Sequence, residues 1–107
     1  MSMKKILTQL LLFTGLVFSQ NEKHLQNIKQ LTFGGDNAEA YWSFDSKKLT
    51  FQSNFRKWNS QCDQIFMMEV KKASGDSAYK PKLISTGKGR TTCSYFMKGN
   101  KKILFAS

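Results

Sequence analysis

The feature that most constrains this chain is an internal repeat: residues 41–53 recur at residues 95–107, an offset of 54 positions without a gap. Aromatic, basic and apolar positions recur in one register. The identical pairs are Tyr41 with Tyr95, Lys47 with Lys101, Lys48 with Lys102, Phe51 with Phe105 and Ser53 with Ser107. Self-similarity at a fixed period indicates one supersecondary unit used more than once, each copy covering the apolar surface of its neighbour.

Each copy has the pattern of a strand, a tight polar turn and a second strand. Leu49, Phe51 and Ser53 alternate with Thr50 and Gln52, which is the period of a β-strand. Residues 44–47 and 98–101 contain the Asp, Asn, Gly and Ser that hairpin turns favour. We therefore predict a β-hairpin in each copy.

The segments around the hairpins complete an all-β pattern. Residues 63–70 are an apolar run of strand length, residues 71–78 a turn-rich loop, and residues 82–86 a fourth strand. Residues 28–33 are interpreted as the outer strand of a preceding unit. No stretch after Gln30 shows sustained helical periodicity. Four strands per repeat is typical of a β-propeller blade.

Particular strings of this sequence resemble the repeat of TolB-type β-propellers. They are residues 30–35 (Gln-Leu-Thr-Phe-Gly-Gly), 40–43 (Ala-Tyr-Trp-Ser), 47–51 (Lys-Lys-Leu-Thr-Phe), 62–68 and 83–87. Residues 34–41 and 87–96 are similar to an exported bacterial subgroup of that family. The two turns lack the proline that the family carries, which makes them less pre-organised.

The resemblance covers residues 28–107 and implies a partial propeller of about one and a half four-stranded antiparallel blades. The complete blade is expected at about residues 38–86 and the half blade at residues 92–107. Because propellers have about four to eight blades, the chain is expected to be a fragment of a longer protein. Further blades or self-association would be needed to cover its strand edges.

The first 19 residues have the layout of a secretory signal peptide: a basic start at Lys4 and Lys5, an apolar run, and a small residue at Ser19. We predict a signal-peptide helix, cleavage before Gln20, a linker at residues 20–27, and a periplasmic or secreted protein with no membrane span after cleavage. The alternative is an N-terminal amphipathic or buried helix that is kept.

The strong positive charge has a limited meaning. Removal of residues 1–19 takes away Lys4 and Lys5 and no acid, which lowers the formal charge from +10 to +8. The remaining lysines are scattered or in pairs, without a basic run or a nucleic-acid motif, so solvated turns are favoured over a nucleic-acid partner. The single histidine, His24, and two separated cysteines give no metal pattern. No cofactor is expected.

The propeller resemblance places the loops before strands one and three of each blade on one face, and with them both cysteines. A disulfide between Cys62 and Cys93 is then plausible in an oxidising compartment; two free thiols, or pairing with other cysteines, are the alternatives. The candidate binding residues of this channel face are Asp36, Asn37, Glu39, Arg56, Asp63, Arg90, Thr91 and Thr92. A structural ion pair between Glu39 and Arg90 is the competing interpretation.

The resemblance implies a non-catalytic binding or scaffold module that contacts a protein partner through its loops and channel. The alternative is the propeller portion of a larger exported hydrolase of the serine-peptidase type, because related propellers are fused to such domains. A third is a free-standing small secreted β-protein. No Gly-x-Ser-x-Gly elbow occurs in the sequence, and no catalytic residue is assigned. The loop with Phe55 and Trp58 either contacts a partner or packs on its own blade.

Overall fold

A computed structural model describes residues 23–107 as two antiparallel sheets joined by loops. The first sheet is a meander in sequence order, and the second is a hairpin. The first sheet consists of β1 (Asn37–Trp42), β2 (Lys48–Ser53), β3 (Gln64–Glu69) and β4 (Lys82–Leu83). The second sheet consists of β5 (Thr92–Phe96) and β6 (Ile103–Ala106). The predicted β-class and antiparallel pairing are confirmed. The predicted signal-peptide helix lies outside the described residues.

Helical turns occur in two loops. A 3₁₀ turn spans Arg56–Trp58, and one α-helical turn, α1 (Val70–Ala73), lies where the sequence predicts the end of a strand and the start of a turn-rich loop. The start of α1 is fixed because the Val70 N–H donates to the carbonyl of Lys47, the residue directly before β2. The turn then buries Ala73 completely against the core.

Two predicted strands are shorter or absent. Pairing of β4 stops at Leu83 because the N–H groups of Ile84 and Ser85 both donate to one acceptor, the Ile65 carbonyl. Residues 28–33 form no strand. Their contribution is packing, since Leu31 lies against the core and the Gln30 carbonyl accepts from Gly75 N–H.

The main apolar core lies on one face of the first sheet, here called the core face. Phe51 is paired with Phe66 across β2 and β3, and Leu49 with Met68, so the four side chains share one side. All four are buried. The cover over them comes from loops and is formed by Leu31, Trp58, Val70, Ala73 and Tyr79.

The sequence repeat is also a repeat of backbone geometry. The pairs Tyr41 with Thr50 and Trp42 with Leu49 have their counterparts, 54 residues later, in Tyr95 with Leu104 and Phe96 with Ile103. Both hairpins carry a bulge at the same place, where Glu39 and Cys93 have φ angles of 54° and 49°. Both turns contain an equivalent left-handed residue, Ser46 (φ 55°) and Asn100 (φ 58°). Because non-glycine residues rarely adopt such angles, their recurrence at equivalent positions supports one structural unit used twice.

The second sheet packs on the face of the first sheet that is opposite the core face, and the contact is largely polar. Strand β5 lies against β1 and β2. The buried hydroxyls of Thr50 and Ser94 are 2.8 Å apart, and the Thr92 hydroxyl donates to the Gln52 side chain at 2.5 Å. At the other end, Phe44 N–H donates to Asn100 Oδ1 at 2.8 Å. Within residues 23–107, no buried side-chain polar atom lacks a hydrogen bond.

The Thr50–Ser94 contact leads to an asymmetric mutational prediction. Thr50→Val leaves the buried Ser94 hydroxyl without its hydrogen-bond partner. We therefore expect the free energy of unfolding to fall by about 1–3 kcal/mol. Ser94→Ala leaves Thr50 Oγ1 within 3.3 Å of the Phe66 carbonyl oxygen, an alternative acceptor, so the loss should be about 1 kcal/mol or less. Urea denaturation of the purified chain measures both.

Thr86→Val is the control, because Thr86 is an exposed threonine. It should shift the urea midpoint of unfolding by far less than Thr50→Val does. Equal losses for Thr50→Val and Ser94→Ala would contradict the compensating role of the Phe66 carbonyl.

Candidate functional site

The candidate residues gather at one end of the sheets. Asn37, Ser53 and Gln64 are neighbours across β1, β2 and β3, and Thr91 N–H donates to the Asp63 carbonyl. The loops of residues 34–36, 54–63 and 84–91 therefore lie together; they are called the loop end below. The sequence-predicted residues at or next to it are Asp36, Asn37, Glu39, Arg56, Asp63, Arg90, Thr91 and Thr92.

Asp36 and Asn37 hold the first of these loops. Asn54 Oδ1 accepts from Asp36 N–H at 2.9 Å, and Asn54 Nδ2 donates to Asp36 Oδ2 at 2.8 Å. Asn37 Nδ2 donates to the carbonyls of the two preceding glycines. Gly35 has a φ angle of 71°, and a Cβ there would lie 2.5 Å from Phe55 Cβ. These contacts fix the backbone of the first loop.

Arg90 pairs with Asp63, with Nε and Oδ2 3.6 Å apart. The expected Glu39–Arg90 pair is wrong, because Glu39 Oε2 accepts instead from the Tyr41 hydroxyl at 3.0 Å. The backbone explains the choice: Thr91 is bound through its N–H to the Asp63 carbonyl, which holds the preceding Arg90 beside Asp63. The Arg90 side chain is largely exposed, so this pair contributes little stability.

Tyr41 forms a small cluster with Glu39 and Tyr95. The two tyrosine rings have their centroids 4.2 Å apart. The neighbouring Tyr95 hydroxyl, and next the Glu39 carboxylate, raise the pKa of Tyr41 above its usual value. In this cluster the Tyr41 hydroxyl is the hydrogen-bond donor to the Glu39 carboxylate.

The expected disulfide does not form: Cys62 and Cys93 are both free and exposed. Cys93 occupies the bulge of β5, where its N–H donates to Gln52 Oε1 and its sulfur lies 3.4 Å from the Thr92 hydroxyl. Cys62 precedes β3, and its carbonyl accepts from Ser60 Oγ. The bulge thus ties the Cys93 backbone to the side chain of a β2 residue.

Gln64 organises the loop end, although the sequence gives no sign of it. Its buried side chain accepts from Ser85 Oγ at 2.7 Å and from Gly87 N–H at 3.1 Å, and donates to the Gly89 carbonyl at 2.7 Å. Ser85 Oγ in turn accepts from Ile65 N–H. A single glutamine on β3 therefore fixes the loop that presents Arg90. One polar residue at a strand terminus is too common a pattern to predict this role.

Arg56 lies where two neighbouring pockets of the loop end meet. One pocket, of about 470 Å³, is lined by Arg56, Asn59, Ser60 and Gln61. The other, of about 390 Å³, is lined by Gly35, Asn54, Phe55, Arg56 and Gln61. In the part of the chain that the structure describes, the Arg56 guanidinium makes no ion pair. It is thus a cation available to a ligand.

The aromatic side chains beside Arg56 face inward. Trp58 packs against the core, with ring centroids 5.3 Å from Phe66 and 6.1 Å from Phe51. Phe55 meets Trp58 edge-on at 5.0 Å. This loop therefore packs on its own sheet, and its aromatic rings anchor the 3₁₀ turn that carries Arg56.

The opposite end of the first sheet has a different character. A pocket there is lined by Lys29, Lys47, Lys48 and Lys71, together with Glu69, whose carboxylate pairs with Lys72 at 2.9 Å. Lys47 and Lys48 lie where the hairpin turn meets β2, and Lys71 lies in α1. This end provides charge-matched control positions for the loop end.

Other site classes find no support in the described residues. Across residues 23–107, no three His, Cys, Asp or Glu side chains cluster as metal ligands would. In the same range, no helix has the length and apolar character required to cross a membrane. No protein-family model, curated protein or solved structure matches the chain.

The role of Gln64 can be tested by replacing it with a residue of similar size. Gln64→Leu removes the partner of three loop groups, so amides of residues 85–90 should exchange with solvent about tenfold faster or more, corresponding to ~1–3 kcal/mol. Hydrogen exchange read by NMR measures this. Gln61→Leu, at an exposed glutamine of the same end, is the control. Unchanged exchange in Gln64→Leu would contradict the organising role.

Proposed function

We propose that this chain is a non-catalytic, exported binding module built from TolB-like propeller units, and that its loop end contacts a protein partner. The architecture is supported by the two hairpins of equal register and by their sheets packed face to face. The first sheet would be one four-stranded blade and β5–β6 the inner half of the next. In a propeller, each blade covers one face of its neighbour in this way.

One observation carries the binding role: the loop end is rigidly held, yet it keeps two arginines exposed. Asn54 fixes the first loop through Asp36, and Gln64 fixes the third through Ser85, Gly87 and Gly89. Arg90 is exposed on the third loop, and Arg56 is exposed on the second loop, which Asn54 links to the first. A surface ordered before binding loses less conformational entropy in the complex, which favours affinity.

The chemistry of the loop end favours an acidic protein surface as the partner. A guanidinium presents its donors in a planar fork that matches a carboxylate, and arginine is enriched among residues that dominate protein interfaces. The pockets on either side of Arg56 have the size to receive partner side chains. Scattered lysines elsewhere would speed encounter with an acidic partner.

The described polar groups are engaged with one another in a way that suits binding better than catalysis. Asp36 is bonded to Asn54, Asp63 to Arg90, and Glu39 to Tyr41. These residues are therefore proposed to shape and orient a surface.

Export is tested by the mass of the protein made with its own N-terminus in a bacterial host. We expect the product in the periplasm or medium to begin at Gln20, because small residues before the cut are what signal peptidase requires. Ser19→Lys should block cleavage at this site. An uncleaved wild-type protein retained in the cytoplasm would refute the export proposal.

The binding role is tested with charge reversals at the two ends of the sheet. The double variant Arg56→Glu with Arg90→Glu should weaken capture of an envelope partner by about thirtyfold or more, the loss typical of two interface arginines. Lys47→Glu with Lys71→Glu makes the same charge change at the opposite end and should retain capture. Cross-linking followed by titration of the captured protein gives both affinities. Equal weakening by both double variants would mean that overall charge, and not the loop end, governs binding.

A further inference from the structure

Two apolar surfaces of this chain are open to solvent. The first, called the hairpin surface, is the outer side of β5–β6, where Tyr95 is 49 % and Leu104 65 % exposed. These two residues are cross-strand partners and so point to the same side. The second, called the groove surface, is Trp42, 53 % exposed, together with a groove of about 340 Å³ beside it on the core face.

For each of these positions, the equivalent residue in the other repeat unit of the same chain shows how it can be covered. Leu104 corresponds to Thr50, which is 0 % exposed because the hairpin lies over it. Trp42 corresponds to Phe96, which is 7 % exposed against the first sheet. The same position of the repeat is thus buried in one repeat unit and exposed to solvent in the other.

From this relation we infer that copies of the chain associate head to tail, the hairpin surface of one on the groove surface of the next. Inside the chain, the side of the hairpin that carries Phe96 already packs on the side of the first sheet that carries Thr50. The same relation, applied once more, places Trp42 of a second copy over Leu104. It also extends the Tyr41–Tyr95 ring contact, since Tyr95 would meet Tyr41 of the second copy.

The location of the open groove fits the surface that would cover it. The groove runs along Ala38 and Ala40 of β1 and is lined further in by Leu49 and Phe51 of β2 and Met68 of β3. Within the chain, strand β5 likewise lies mainly against β1 and β2. The contact between copies would thus fall on the same strands as the contact within the chain. A second copy, which carries the same hairpin, is therefore the occupant that the repeat geometry selects.

The association is heterologous, because the two surfaces are different. Such a contact joins chains in a ring or in an open row rather than in a symmetric pair. The inference depends on the repeat geometry and not on the proposed binding role of the loop end. Arg56→Glu with Arg90→Glu should accordingly leave self-association unchanged.

Analytical ultracentrifugation of the purified chain, alone and in mixtures, tests the inference. The wild type should show concentration-dependent association. Trp42→Lys and Leu104→Lys each block one surface, so each should be a monomer on its own, with association weakened about tenfold or more. An equimolar mixture of the two variants should form a one-to-one complex that grows no further, because each supplies the surface that the other lacks.

Phe44→Lys is the matched control, since Phe44 is exposed and apolar but lies in the turn, outside both surfaces. It should associate like the wild type. Hydrogen exchange at Thr50 should remain slow in all variants, which shows that the two sheets stay packed. A wild type that is monomeric up to about 1 mM, the weak limit of specific association, would overturn the inference. So would dimers of Trp42→Lys alone, which indicate a symmetric contact between hairpin surfaces.

Discussion

Each face of the first sheet has to be covered, and the chain covers the two faces by different means. On one face, Phe51 and Phe66 are sealed by side chains from loops and from the short helix α1. On the other face, Thr50 and Ser94 share a buried hydrogen bond with the second sheet. The first contact supplies apolar burial, and the second contributes specificity, because a slipped hairpin would leave the buried Ser94 hydroxyl without its Thr50 partner.

The sequence predicted the two hairpins and β3, but it missed α1, made β4 too long and assigned a strand to residues 28–33. The hairpins were predictable because the Lys-Lys pair and the flanking aromatics recur in one register. The strand period also predicts that Leu49 and Phe51 point to the same side of the sheet, as they do. Helix α1 was missed because four residues are too few for a helical period to show. Residues 28–33 have the composition of a strand, but backbone pairing needs a neighbouring strand that the described chain does not supply there.

At the loop end, the residue types were predictable but their partners were not. The clustering was expected from the propeller resemblance, which places these loops on one face. The choice of Asp63 over Glu39 as the partner of Arg90 depends on one backbone hydrogen bond at Thr91. The dominant residue, Gln64, is inconspicuous in the sequence because its role arises from the path of the loop around it. Pairings of this kind depend on loop paths, which composition and spacing leave undetermined.

The equivalent bulges at Glu39 and Cys93 carry different side chains on the same backbone geometry. Each bulge residue lies outside the ladder of paired strands, held by a left-handed backbone that the register on either side maintains. A carboxylate in one copy and a thiol in the other are therefore carried on the same scaffold without any change of strand alignment. Successive repeats can in this way diversify what they display while every hairpin keeps its fit to the next.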